Sequence, residues 1–485
     1  MSFRPLAYMA GNTTPLFLGV IERLLSGPWK KADRFTLVIG DKIHYRWALE
    51  QKSDPRIRLI YQHEWFDPWQ APMPDQKQVA EFEERYGIPN LRRYLIAQRI
   101  IDRLPEERKL AYLIAYLRYF ESLWSEHRPD VLISGGADSL PFFVAHEVFK
   151  RNGCPLMALI PSRITGRFHV VDNELEQVPF LRETFEALAG EGLTPEEKAL
   201  ARNVREAHVK KRIRPSYYGI GARVRPLPSV LRMAEAVWRC FWHEDWYFDA
   251  PLRSHVLNGL KVRLRQPFQK AQIRRLISPL PANGRFFYYP LHYEPEFSID
   301  ILGSTVRNQL QLIRRISSLL PARYLLCVKE HPNMFPGSRP FGFYQRLVEC
   351  GNVRLIDPAT DGYDIISRCR GVVTISGTSG YEALFLDKPV LVLGRAFYDQ
   401  FHEGVIRAGG NEEIAGALQQ MKAGHSFDPD DLDRFVVALY RCSYSGAYEH
   451  TIQNIHEASN YQALADGVAA GWSWRISHAK QLVRS

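Results

Sequence analysis

The residues best placed to do chemistry lie in two short segments of the second half of the chain. The first is Lys329-Glu330-His331-Pro332, directly after the apolar run Tyr324-Leu325-Leu326-Cys327-Val328. The second is Ser376-Gly377-Thr378-Ser379-Gly380, directly after Val372-Val373-Thr374-Ile375 and one turn before Glu382. In both, a strand of buried type ends in polar groups. The carboxyl ends of strands in an open α/β sheet are where ligands bind. Glycines let the backbone approach a ligand closely, and a helix starting there offers unpaired N–H groups to an anion. The hydroxyls of Ser376, Thr378 and Ser379 add donors, and Glu382 is in reach of a ribose hydroxyl. Pro332 forces a turn after the strand and leaves His331 at the sheet edge, where its imidazole can meet a phosphate oxygen and Lys329 can add charge. Each segment alone also fits a plain structural role, as a helix cap with Glu382 as capping-box partner or as a buried histidine. Their occurrence at strand ends of one sheet points to a shared phosphate site.

Three further clusters are candidates. Gly135-Gly136-Ala137-Asp138 follows the apolar run Val131–Ile133 and places a carboxylate at the edge of an earlier sheet. Asp138 there is either a general base or the cap of the next helix. Arg163, Arg167 and His169 follow the next strand and suit an anionic group or plain surface. Pro290-Leu291-His292-Tyr293-Glu294-Pro295-Glu296 follows the strand Phe286–Tyr289, so His292, Glu294 and Glu296 are candidate substrate contacts. Asp428-Pro429-Asp430-Asp431 looks like a metal site but precedes a helical pattern, where acids favour the helix start; it is read as structural, and no metal is expected. A P-loop lysine signature and a dinucleotide glycine fingerprint are both missing, which excludes the common kinase and oxidoreductase readings.

The elements that must position these groups repeat regularly. Strands at Phe35–Gly40, Arg58–Tyr61, Pro129–Ser134 and Cys154–Ile160 alternate with helical patterns over 90–125 and Leu140–Lys150, which implies βαβ units and a parallel sheet. Residues 185–276 read as helical and basic. The breaker-rich run Ser278–Gly284 is taken as the domain boundary, giving a first domain over 1–277 and a second over 278–485 whose last helices can pack back on the first. The second domain runs strand 286–289, helix 304–320, strand 324–328, helix 343–350, strand 353–356, helix 363–368, strand 371–375, helix 379–386 and strand 390–393. At 485 residues the chain exceeds one ordinary core, and 46% hydrophobic with 24% charged residues is the composition of a globular protein. The apolar run after Arg4 is interrupted by Asn12-Thr13-Thr14, and no apolar stretch reaches about 18 residues, so neither a signal peptide nor a membrane span is expected and the chain is read as cytoplasmic. The six cysteines have no paired spacing and read as reduced thiols.

The net charge of +10 calls for an anionic partner. No acidic residue occurs from Ala250 to Tyr293, where Arg253, Lys261, Arg263, Arg265, Lys270, Arg274, Arg275 and Arg285 fall. Lys210-Lys211-Arg212-Ile213-Arg214 and the aromatics Trp238, Phe241, Trp242, Trp246, Tyr247 and Phe248 lie just upstream. This region is either a solvated helical surface or a patch for anionic lipid. Nucleic acid is not expected as a partner, because no recognised binding motif accompanies the charge.

Lys329–Pro332 and Ser376–Ala383, with Lys388-Pro389 and Gly394-Arg395-Ala396-Phe397-Tyr398, resemble the bacterial capsule polysaccharide biosynthesis family, which includes the Kdo transferases of the capsule's lipid linker. The resemblance spans about 284–400 and weakly 129–170. It implies a GT-B-like fold, α/β, with two Rossmann-like domains whose parallel sheets face a central cleft. It also implies an inverting, metal-independent glycosyltransferase that needs no cofactor and uses a nucleotide-activated sugar, CMP-Kdo-like, as substrate. His331 would be catalytic and Asp138 the base. Lys329, Glu330, Pro332, Ser376, Gly377, Thr378, Ser379, Gly380 and Glu382 would bind the donor, and Gly135, Gly136, Arg163, Arg167, His292, Glu294 and Glu296 would contact substrate. The implied partners are a glycan or glycolipid acceptor, capsule assembly proteins and the inner face of the bacterial inner membrane. UDP-sugar or CDP-polyol transfer, and a non-catalytic assembly or export role, are the alternatives.

Overall fold

The computed structural model describes residues 3–11, 13–64, 66–87, 90–95, 101, 104–136, 139–173, 175–211, 238, 246–247, 250–294, 297–300, 302–303, 306, 308–334, 339–399, 403–424, 428–448 and 455–482. Along the chain the strands are β1 (Pro5–Met9), β2 (Phe35–Ile39), β3 (Ile57–Tyr61), β4 (Val131–Ser134), β5 (Leu156–Pro161), β6 (Arg167–Val171), β7 (Trp246–Tyr247) and β8 (Ala250–Pro251). They continue as β9 (Phe286–Pro290), β10 (Leu325–Lys329), β11 (Val353–Ile356), β12 (Val372–Thr374), β13 (Val390–Val392), β14 (Val405–Arg407) and β15 (Tyr444–Ser445). The chain divides into two compact units: Met1–Pro179, Ala234–His255 and Cys442–Ser485 form the first, and Phe180–Met233 with Val256–Arg441 form the second.

The first unit is built on a seven-stranded sheet in the order β15-β6-β5-β4-β1-β2-β3. Strands β1 to β5 run parallel; at one edge β6 pairs antiparallel with β5, and β15 pairs antiparallel with β6. Strands β1 and β2 are buried along their whole length, as parallel strands covered on both faces must be. The expected helix over 90–125 is interrupted at Pro105, which has no N–H for a helix interior; Arg92–Leu95 and Glu106–His127 are separate helices. The final helix, Ala458–Leu482, packs on Thr13–Ser26 in this unit.

The second unit is a six-stranded, all-parallel sheet in the order β11-β10-β9-β12-β13-β14. From β9 the chain moves outward through β10 to β11. It then returns to the other side of β9 as β12 and continues outward through β13 to β14. This is the doubly wound nucleotide-binding order, and its switch point lies between β9 and β12. Phe287, Tyr289, Val328, Val373 and Leu391 interdigitate as its core with Leu312, Ile313 and Ile316 of the helix Gln309–Leu319. That helix starts later than the sequence pattern suggests because Asn308 caps it, accepting from the Gln311 N–H.

The division differs from the boundary drawn at 277/278. The helices Leu181–Glu191 and Pro195–Lys211 pack on Pro429–Arg441 in the second unit. Arg205 pairs with Asp433 at 2.6 Å and Arg441 with Glu197 at 2.7 Å. His208 stacks on Phe385 at 4.2 Å and bonds Tyr363 Oη at 2.9 Å. The breaker run after Ile277 is tied into the same unit, where the Ser278 N–H donates to Leu355 O. The basic stretch also contains the β7–β8 hairpin, which its composition did not announce. Phe241, Trp242, Phe248 and 212–214 lie outside the described residues. Among the described residues, no helix is long and apolar enough to cross a membrane.

Candidate functional site

The carboxyl ends of β10, β9 and β12 are neighbours at the switch point of the second sheet, and each delivers one of the polar segments singled out above. Strand β9 leads to His292, β10 ends in Lys329 and is followed by Glu330 and His331, and β12 opens into Ser376-Gly377. The His292 ring reaches across the switch. Its Nε2 accepts from the Ser376 N–H at 3.3 Å and lies 3.3 Å from Thr374 Oγ1. A Cβ on Gly377 would sit 3.1 Å from that nitrogen and 2.9 Å from Thr374 Oγ1, so glycine is what lets the ring approach. His331 stands against Tyr293, ring centroids 5.7 Å apart.

The turn at Ser376–Gly380 only partly matches the bare helix start expected. The Ser376 N–H is taken by His292, and the Gly377 N–H donates to Thr374 Oγ1 at 3.0 Å. The following helix is short, Thr378–Leu384. Tyr398 braces the turn by donating to Gly377 O at 2.8 Å, and a Cβ on Gly380 would collide with the same hydroxyl. Thr378, Ser379 and Glu382 are half-buried beside it, and Ser376 is buried.

A buried charge network supports the other half of the edge. Arg339 donates from Nη1 to Glu294 at 2.6 Å, from Nε to Glu330 at 3.0 Å and from Nη2 to His292 O at 2.5 Å. Tyr344 Oη donates to Glu330 at 2.6 Å, and Glu330 also accepts from the His331 N–H at 2.7 Å. Gln309 donates to Glu294 at 2.5 Å and accepts from the His292 N–H at 2.9 Å. The side chains of Arg339 and Glu330 are 4% and 7% exposed. Glu330 and Glu294, read from the sequence as ligand contacts, thus have carboxylates occupied in holding the loops that carry His331 and His292. Lys329 is buried, and Pro332 is half-buried after His331.

The tautomers follow from these contacts. The Asn333 N–H donates to His331 Nδ1 at 3.2 Å, which places the ring proton on Nε2 as a donor for a ligand oxygen. Burial, reinforced by His292, Lys329 and Arg339, lowers the His331 pKa to about 4. Burial also lowers His292 to about 4, with Arg339 adding to the effect and Gln309 opposing it. His169 and His208 are lowered by burial to about 4 and His146 to about 3. All five are neutral at pH 7 and have folded pKa values below the ordinary 6.5. The unfolded chain therefore binds protons more readily than the folded one. This contribution to stability is complete above about pH 6.5 and is lost as pH falls toward about 4. Urea unfolding at stepped pH is expected to show a steady loss of stability from pH 7 to 5; a flat profile would contradict the burial of these rings.

The remaining candidates lie elsewhere. Asp138 and Glu296 are outside the described residues. Gly135 and Gly136 end β4 of the first unit; Gly136 has φ +97°, and a Cβ there would meet Glu176 Oε1 at 2.9 Å. Arg167 and His169 lie within β6 rather than in a loop. Arg167 clamps the C-terminal strand β15, donating to Ser443 Oγ and Ser443 O, each at 2.6 Å, and His169 Nδ1 lies 2.9 Å from Cys442 O. Arg163 is half-buried after β5. Asp428 accepts from the Asp430 N–H at 2.9 Å at the start of Pro429–Arg441, a structural contact at a helix start. Arg339, Gln309, Tyr344 and Asn333 were not singled out from the sequence. Asn333 alone had a local signal, two residues beyond His331.

The chain is thus an α/β protein of two Rossmann-like units with largely parallel sheets, as read from the sequence, and the second gathers histidines and a glycine–hydroxyl turn at its switch point. Residues 253–417 match the family model described as capsule polysaccharide biosynthesis protein. The resemblance carried by Lys329–Pro332 and Ser376–Ala383 is therefore borne out over that segment. A search of curated proteins finds no match. Among solved structures, the chain is similar to a Thermosulfurimonas dismutans KpsC described as a β-Kdo 2,7 transferase, at 14% identity, TM-score 0.34, covering 62% of this chain and 80% of that one. It is also similar to a UDP-GlcNAc 2-epimerase from Neisseria meningitidis bound to UDP-GlcNAc, at 13% identity, TM-score 0.28, covering 95% and 97%. A third is the S. aureus MnaA–UDP co-structure, at 11% identity, TM-score 0.29, covering 100% and 98%.

Proposed function

We propose that this chain is a glycosyltransferase of capsule or surface polysaccharide biosynthesis that holds a nucleotide-activated sugar, CMP-Kdo-like, at the carboxyl edge of its second sheet. The observation that carries this reading is the convergence of His292, His331 and the Thr374–Gly377 turn at one switch point inside the family-matched segment. The reaction is an inverting displacement. The acceptor hydroxyl oxygen forms a bond to the anomeric carbon as the bond from that carbon to the phosphate oxygen breaks, and negative charge grows on the phosphate. His331, with its proton on Nε2, donates to that oxygen, assisted by the hydroxyls of Ser376, Thr378 and Ser379 and by Lys329. Glu382 holds the ribose. Glu330, Arg339 and Glu294 keep the histidine-bearing loops in place without touching the donor, and charge stabilisation by these groups needs no metal. Removing the acceptor's proton also requires a base, and Asp138 is the candidate that the family resemblance offers. Thermal melts with CMP, UMP and CDP test the donor side, because a ligand bound only by the folded state raises the melting temperature. CMP is expected to raise it saturably. If only uridine nucleotides do so, the cytidine assignment fails.

A further inference from the structure

The helix Leu252–Arg274 is anchored to the second unit near its C-terminal end, where Ile273 is 8% exposed and packs with Tyr344 and Leu355. Three apolar side chains among its described residues face solvent. Leu257, Leu264 and Phe268 are 46%, 66% and 75% exposed. At about 100° per residue, these three fall within about 40° of one another and roughly opposite Ile273. Lys261 and Arg265 flank this apolar stripe on one side, and Arg274 lies about 100° away on the other, all exposed. No acidic residue from Ala250 to Tyr293 offsets them.

We propose that this face of the helix lies in the interface of a bilayer containing anionic lipid, with Leu257, Leu264 and Phe268 inserted among the acyl chains and the flanking cations at headgroup depth. The stripe supplies apolar area, and long basic side chains reach outward to phosphates while their stems lie along the apolar surface. The charge pattern selects this occupant. A second copy of the chain would bring two uncompensated basic faces together, and a nucleic acid would leave Leu264 and Phe268 in water. The assignment is independent of the donor reading.

Flotation of the full chain with vesicles tests it. Binding is expected to vesicles of phosphatidylcholine with about 30 mol% phosphatidylglycerol, to weaken as salt screens the headgroups, and to be weak on pure phosphatidylcholine. Leu264→Glu with Phe268→Glu is expected to lower partitioning at least about tenfold at an unchanged melting temperature, since both side chains already face solvent. Lys261→Glu with Arg265→Glu is expected to lower it without touching the stripe. Failure of the wild-type chain to float with anionic vesicles would overturn the assignment, as would both variants floating like wild type. Sedimentation showing a dimer that Phe268→Glu dissolves, without vesicle binding, would assign the face to a second copy instead.

Discussion

Arg339→Met is expected to destabilise the second unit by about 3–5 kcal/mol, because it leaves the buried carboxylate of Glu330 and the half-buried one of Glu294 without their cation. The guanidinium is 4% exposed and bonds both carboxylates and the His292 carbonyl. Methionine fills similar volume but satisfies none of these groups. At about 2–4 °C per kcal/mol for a unit of this size, the melting temperature should fall by roughly 6–20 °C. Arg339→Lys should recover part of the loss, since one ammonium restores charge but cannot repeat three directed bonds. Urea unfolding measures both. A loss below about 1 kcal/mol for methionine would show that the network does not hold the edge together.

The second large effect separates chemistry from stability. His331→Ala should lower turnover by about 10²–10³, the usual cost of removing one donor aimed at developing charge. The ring is half-buried and is held by one backbone N–H, so its loss should shift the melting temperature far less than the loss of Arg339. Turnover and melting temperature measured on the two variants should therefore rank them in opposite order of severity. If His331→Ala turns over like wild type, the ring does not meet the leaving phosphate.

Much of the second unit was legible in the sequence. Its strands are short apolar runs of Val, Leu, Ile, Phe and Tyr, bounded by Gly, Pro and Asp, at regular spacing, so both the elements and the sheet edge holding His331 and Ser376 could be placed. The edge's internal wiring was not legible. Arg339 lies some way along the chain from His331, and nothing local marks it as the partner of Glu294, far earlier in the chain; the pairing exists only because β9 and β10 are adjacent. That Glu330 holds a loop, although it stands beside His331 in the motif, is likewise a fact of the fold. In the first unit, β6 was hidden by lying in an antiparallel hairpin inside an otherwise parallel pattern. The assignment of 180–211 to the second unit rests on contacts with residues beyond 360, such as His208 with Tyr363 and Arg205 with Asp433, which no local composition can announce.

The most direct test of the donor site is calorimetric titration of CMP into the wild-type chain and into His331→Ala. Saturable binding in the wild type, weakened about tenfold or more in the variant by the loss of one hydrogen bond to a charged phosphate, is the expected result. Equal affinity in both proteins, or no nucleotide binding in either, would contradict the assignment of the second sheet's switch point as the donor site.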